Sequence, residues 1–241
     1  MQLGRVLGLA VLSLACGESG RESPRAASVV GSPPPQPPDL RRCVPPPTID
    51  ASPESIAEAV ALLNALPPPV TVACFIESLE RPLQVFASAS PFSAQPSSTL
   101  DSPRIFIRNG PLTMTVVPDG MGAGLLEFGE QAGPGRTRKG EVELPPAGTL
   151  AWSAPYDRVQ VDDTTTCGTC HDDEAADGSG FVSEVLHPSP MFDVSLAQLR
   201  QAATDCDRGR DAQRCDLLAA LFDHGDVQPA MLPRGGRICD H

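Results

Sequence analysis

The sequence predicts an α+β fold: a β-rich, sandwich-like region followed by a smaller, mostly helical one. Two changes of pattern along the chain carry that expectation. Between residues 70 and 161, short runs of Val, Ile, Leu and Phe recur between Gly, Pro, Ser and Asn, the pattern of several short antiparallel strands. Past residue 162 a polar stretch rich in Gly, Asp and Thr intervenes, and apolar residues then return at helical spacing. Of the 241 residues, 41% are hydrophobic, enough to build a core.

Residues 1–16 read as a targeting signal. Arg5 supplies a positive start, Val6 to Leu14 form a brief apolar run, and small residues lead into Ala15-Cys16. The run is shorter than the roughly 20 apolar residues a membrane span needs. Leu12-Ser13-Leu14-Ala15-Cys16 resembles the lipobox of bacterial lipoproteins, with Ser13 where that family usually carries Leu. The resemblance implies lipidation at Cys16, which places the chain in the cell envelope. It would be lipid-anchored to a bacterial membrane and face the periplasm or cell exterior. Residues 17–42 hold Gly, Ser and Pro without a hydrophobic period and read as a linker. A flexible coil of that length spans about 28 Å on average.

The β-rich region, residues 43–161, opens with a short helix. Ser52 is its expected cap, Pro53 suits its first position, and Ile56, Val60 and Leu63 share one face. Pro67-Pro68-Pro69 ends it. The expected strands are 70–76, 83–87, 104–107, 112–117, 125–128, 141–144 and 159–161. Gly133 to Gly140 (GPGRTRKG) reads as a basic surface turn. In residues 162–241, Ser195 caps a helix carrying Leu196 and Leu199, and a second helix runs from about Asp211 to a stop at Gly225.

Export sorts the eight cysteines, because an oxidising compartment permits disulfides. Cys43 and Cys74 are placed to staple the entry helix to the first strand. Cys206 and Cys215 flank the join of the two later helices, and pairing of either with Cys239 stays open.

Cys167-Gly168-Thr169-Cys170-His171 is the CxxCH pattern of c-type haem attachment. Two thiols three positions apart reach the two vinyl groups of one porphyrin, and the adjoining histidine supplies the proximal nitrogen. On these five residues and the helical tail, residues 162–241 resemble a single-haem c-type cytochrome. The resemblance implies one covalent haem c held by Cys167, Cys170 and His171. Other uses of CxxC are a zinc site or a redox disulfide. A zinc ribbon needs a second CxxC, and the chain has none.

For the sixth iron ligand the first candidate is Met231. It lies 60 residues past His171 with Pro233 just beyond, a spacing similar to small Met-ligated cytochromes. Met191 and His187 in the run HPSPMF, and His224, are the alternatives. Asp173 to Glu184 loosely echoes a calcium loop, with Ala175 standing where a ligand belongs.

Lys and Arg total 18 against 30 Asp and Glu, a formal net charge of −12. That balance excludes nucleic acid as a partner, since neutralising phosphates requires a basic surface. No hydrolase or nucleotide-binding motif is present. The expected role is one-electron transfer to a redox partner protein, an electron carrier more than an enzyme. The alternatives are a haem-based sensor or small-ligand binder, and a structural lipoprotein whose CxxCH is a disulfide or zinc site.

Overall fold

The structure is a computed structural model and describes residues 41–91, 95–97, 99–232 and 237–239. The expected signal segment and Cys16 lie outside the described residues. Residues 39–241 form one compact unit, of mixed α and β structure.

Two helices come first. α1 (Ile56–Ala65) is capped by Ser55, not Ser52: Ser55 accepts from the Glu58 amide while the Glu58 side chain reaches back, a reciprocal capping box. Ile56, Ala59, Val60, Leu62 and Leu63 are its buried face. The expected strand 70–76 is a second helix, α2 (Val72–Ser78), capped by the Thr71 hydroxyl. An apolar run this short fits either structure by pattern alone, and here the cap and the preceding prolines decide for helix. Cys74 on α2 is bonded to Cys43, so the expected staple holds the chain entry against a helix.

The strands then build in order: β1 (Leu83–Ser88), β2 (Arg104–Asn109), β3 (Leu112–Val116), β4 (Leu125–Gln131) and β5 (Arg136–Glu143). All five pair antiparallel with their neighbours in sequence. The β2–β3 hairpin turns on Gly110, whose φ of +51° favours glycine. The stretch expected as a basic turn is mostly β5 itself. Only its Gly-Pro-Gly start turns, so Arg136, Arg138 and Lys139 are strand residues with alternating directions.

A short helix α3 (Ala154–Val159) and the paired segments β6 (Gln160–Val161) and β7 (Thr164–Thr165) lead into a 3-10 turn at Thr166–Thr169. Next come β8 (Ala175–Ala176), β9 (Phe181–Glu184), β10 (Leu186–Pro188) and β11 (Asp193–Val194). Helices α4 (Leu196–Thr204) and α5 (Ala212–Phe222) follow, capped by Ser195 and Asp211 and joined by the Cys206–Cys215 disulfide. The segments β12 (Val227–Pro229) and β13 (Arg237–Cys239) close the chain.

One nine-stranded sheet runs β11-β1-β2-β3-β4-β5-β9-β8, with β12 also on β1. Strands from both sides of the boundary expected near residue 162 therefore share one sheet, and the later part is not a separate helical domain. Residues alternate along each strand. Ile105, Ile107, Met114, Val116, Leu126, Phe128 and Val142 enter the core with α1, α2 and α5. Each such large side chain contributes about 1.5–3 kcal/mol by leaving water.

The opposite face carries Phe86, Arg104, Phe106, Thr115, Glu127, Gly129, Thr137, Lys139 and Ser183, as the strand registers require. Because β9 joins β5 and β11 joins β1, residues 185–192 must travel back across the intervening strands. Six strand-to-strand steps at about 4.8 Å make about 29 Å across a flat sheet, about the reach of the nine Cα steps from Glu184 to Asp193 at about 3.3 Å each. That connection carries β10 and a 3-10 turn at Pro190–Phe192.

Candidate haem-attachment site

The CxxCH residues sit on the 3-10 turn, and their neighbours shape it. Thr165, fully enclosed, is its N-cap: its hydroxyl oxygen accepts from the Cys167 amide at 3.1 Å and the Gly168 amide at 3.3 Å. Its hydroxyl donates to Glu174 Oε2 at 2.6 Å, while its amide and the Thr164 hydroxyl donate to Oε1 at 2.7 and 2.6 Å. Burial opposes charge on this carboxylate, but these donors outweigh it and hold Glu174 below the usual range. Gly168 fits against the bracket with no room to spare, since a Cβ there would stand 2.9 Å from both Glu174 Oε1 and Thr164 Oγ1.

The residues after the motif anchor the turn to the sheet. Glu184 donates its amide to Asp172 at 3.1 Å, and Arg136 donates to the Asp173 carbonyl at 2.6 Å. His171 Nδ1 lies 2.7 Å from the Glu184 carbonyl oxygen. A carbonyl only accepts, so Nδ1 carries the proton and Nε2 keeps its lone pair. That is the second-partner arrangement that orients metal-ligating imidazoles. Burial, aided by the charges of Lys139 and Arg104, pushes the His171 pKa down to about 4 against the pull of the Glu184 carbonyl. The imidazole is thus held neutral, as a ligand must be.

Cys167 is half-buried and Cys170 exposed, and both thiols are unpaired, whereas Cys43, Cys74, Cys206 and Cys215 are bonded. Burial raises the Cys167 thiol pKa, with Lys139 opposing. Two unpaired thiols and a neutral imidazole with a free Nε2 on one turn are the donor set a c-type haem takes. Among the described residues, no group of three or more His, Cys, Asp and Glu side chains is placed to hold a metal ion. The calcium-loop echo resolves into the β8–β9 hairpin, where Asp177 pairs with Arg138 and accepts from Ser179.

The sixth-ligand candidates separate. Met231 and His187 line one apolar cavity of about 780 Å³ at the edge of β1, walled by Val85, Phe86, Val194 and Leu196. Met231 is 70% exposed and Met191 80%. His224 stands elsewhere, with Nε2 3.9 Å from the buried Glu77.

Arg104 and Glu127 carry no signal of their own in the sequence, and Lys139, expected in a basic surface turn, lies on β5. Arg104 pairs with Glu127 and lies 5.2 Å over the Phe106 ring, which in turn meets Phe86 at 5.6 Å. Burial lowers the Lys139 pKa to about 8. The available signal was the strand alternation of residues 136–143, which puts Lys139 and Arg138 on opposite faces.

A comparison of the chain with protein-family models finds no match, and comparisons with curated proteins and with solved structures find none either.

Proposed function

We propose that this chain carries one covalent haem c at Cys167, Cys170 and His171 and transfers single electrons from a lipid anchor at Cys16. The observation that carries the reading is the turn itself. Its two thiols stay unpaired beside His171, whose Nδ1 is tied to Glu184 so that Nε2 is left to bind iron. Haem would supply the one-electron redox centre. Cys167 and Cys170 would hold it by thioethers and His171 would ligate on the proximal side. Thr165, Gly168 and Glu174 keep the three in register, and Glu184 fixes the ring plane of His171. Met231 is the favoured sixth ligand because of its spacing from His171 and the neighbouring Pro233; the apolar cavity it lines is not lined by Cys167, Cys170 or His171. Thioether ligation would set a higher potential than a second imidazole would.

The acidic surface, at net charge −12, suits docking to a basic redox partner. Lipidation at Cys16 rests on the lipobox resemblance. Among the described residues no helix is long and apolar enough to cross a membrane.

The test is expression of the full chain in a host with haem-attachment machinery, followed by haem staining after denaturing electrophoresis. The expected result is a stained band that survives acid-acetone extraction and fades in Cys170→Ala. A colourless full-length chain from a competent host would overturn the proposal. Mass spectrometry of the mature N-terminus checks the anchor, with a lipid-sized increment on Cys16 expected.

A further inference from the structure

The sheet face that carries Lys139 holds polar groups that lack partners. Ser183 is 0% exposed and Thr137 8%, they are paired across β5 and β9, and neither hydroxyl has a hydrogen-bond partner. Lys139, two residues along β5 from Thr137, points to the same face. It is half-buried, and none of the described residues gives its ammonium a hydrogen bond or an ion pair. Arg104 adds a second cation, with its Nε buried and unpartnered. Enclosed donors are ordinarily satisfied, and one left without an acceptor keeps its full desolvation cost.

Space is left beside them. Gly129 lies directly opposite Lys139 in the β4–β5 pair, and a Cβ there would meet only Thr137, at 4.0 Å. His171 is bonded to the carbonyl of Glu184, the residue next to Ser183 on β9, so this floor adjoins the attachment turn. Glu127 and Glu174 act on Lys139 by charge but neither bonds it, so two hydroxyl donors and an ammonium without a bonded acceptor stand next to an open space, which an anionic carboxylate matches.

We infer that Thr137, Lys139 and Ser183 form a carboxylate-binding floor beneath the CxxCH turn, which takes a propionate of the attached haem. This rests on the haem reading for its source of carboxylate. A free carboxylate from solution is the other source, and the experiment separates the two.

The experiment compares the full-length haem-loaded chain with Lys139→Gln, Lys139→Arg and Ser183→Ala. Two readouts are taken, the resonance Raman bending mode of the haem carboxylates and the midpoint potential. Lys139→Gln is expected to move the mode and to lower the reduction equilibrium constant about tenfold, which is 59 mV for one electron. Losing the cation leaves a negative charge that favours oxidised iron. Ser183→Ala, which changes no charge, is expected to move the mode alone, and Lys139→Arg to restore both readouts. A haem-loaded chain whose carboxylate mode ignores Lys139→Gln and Ser183→Ala overturns the inference and leaves the haem reading intact. If the wild-type chain takes up no haem, the haem reading fails by itself, and acetate titration of that chain decides. Amide NMR shifts at Thr137 and Ser183 that vanish in Lys139→Gln would support a carboxylate from solution. No acetate response would overturn the floor.

Discussion

His171 and Glu184 are bound side chain to backbone, with the Nδ1–H of the imidazole donating to the carbonyl oxygen at 2.7 Å. The residue following the second cysteine is thereby anchored to a strand thirteen positions on, so the orientation of the attachment turn is set by the sheet.

That enclosure has a pH signature in a haem-free chain such as Cys167→Ser/Cys170→Ser. Burial holds His171 at about 4, below its ordinary 6.5. The unfolded chain therefore binds the extra proton first as pH falls. The stability contributed by neutral His171 is complete above about pH 6.5 and is lost as pH drops through about 4. Denaturant unfolding of this variant should weaken between pH 7 and 4 by more than that of the same chain carrying His171→Gln. Equal pH profiles would refute the assignment.

Gly168 predicts a second outcome. The motif tolerates many residues at this position, but here a Cβ would press within 2.9 Å of Glu174 and Thr164. Gly168→Ala should destabilise by about 1–3 kcal/mol through overpacking. It should also lower the yield of attached haem, because the Thr165 cap and both thiols ride on the displaced turn. Thermal unfolding and haem absorbance per polypeptide measure the two effects. Thr169→Ala, at an exposed neighbour, should change neither.

How much of this was readable in sequence follows from where each signal resides. CGTCH stands out in the sequence because its five residues are contiguous, and the structure leaves both of its thiols unpaired. β1 to β4 are legible because apolar and polar residues alternate along them. α2 is not, since Val72, Cys74, Phe75, Ile76, Glu77 and Ser78 are all buried and a segment enclosed on every side shows no period. Lys139 is not legible either. Its neighbours Thr137 and Ser183 are 46 residues apart in the chain and meet only through the β5–β9 register. The sheet that unites both halves escapes for the same reason: β9, β11 and β12 are two to four residues long, too short to show alternation.

The two disulfides should contribute unequally. Cys43–Cys74 closes a separation of 31 residues and Cys206–Cys215 one of 9. Loop-closure entropy gives about 3.7 kcal/mol for the first and about 2.6 kcal/mol for the second. The first also holds the backbone amides of Arg42 and Cys43 on the buried Glu77 carboxylate. Cys43→Ala/Cys74→Ala should therefore shift the denaturant midpoint further than Cys206→Ala/Cys215→Ala. A reversed order would mean that the α4–α5 clasp, not the chain entry, limits stability.

The last prediction concerns which residue would supply the sixth ligand of the proposed haem. Met231 and His187 line the same cavity, and Phe86 in its wall meets Phe106, over which Arg104 lies. A thioether on iron gives a weak charge-transfer band toward the red end of the oxidised spectrum. Met231→Ala should abolish that band, and the reduced form should then bind carbon monoxide at the opened position. His187→Ala should leave the band in place. If Met231→Ala is silent and His187→Ala alters the spectrum, ligation is bis-imidazole, with a lower potential. Met191→Ala provides the third arm, and loss of the band there would move the role to that residue. His224, held beside Glu77, should tolerate Ala without any spectral change. A wild-type haem that already binds carbon monoxide readily would rule Met231 out as a ligand and favour a ligand sensor over the proposed electron carrier.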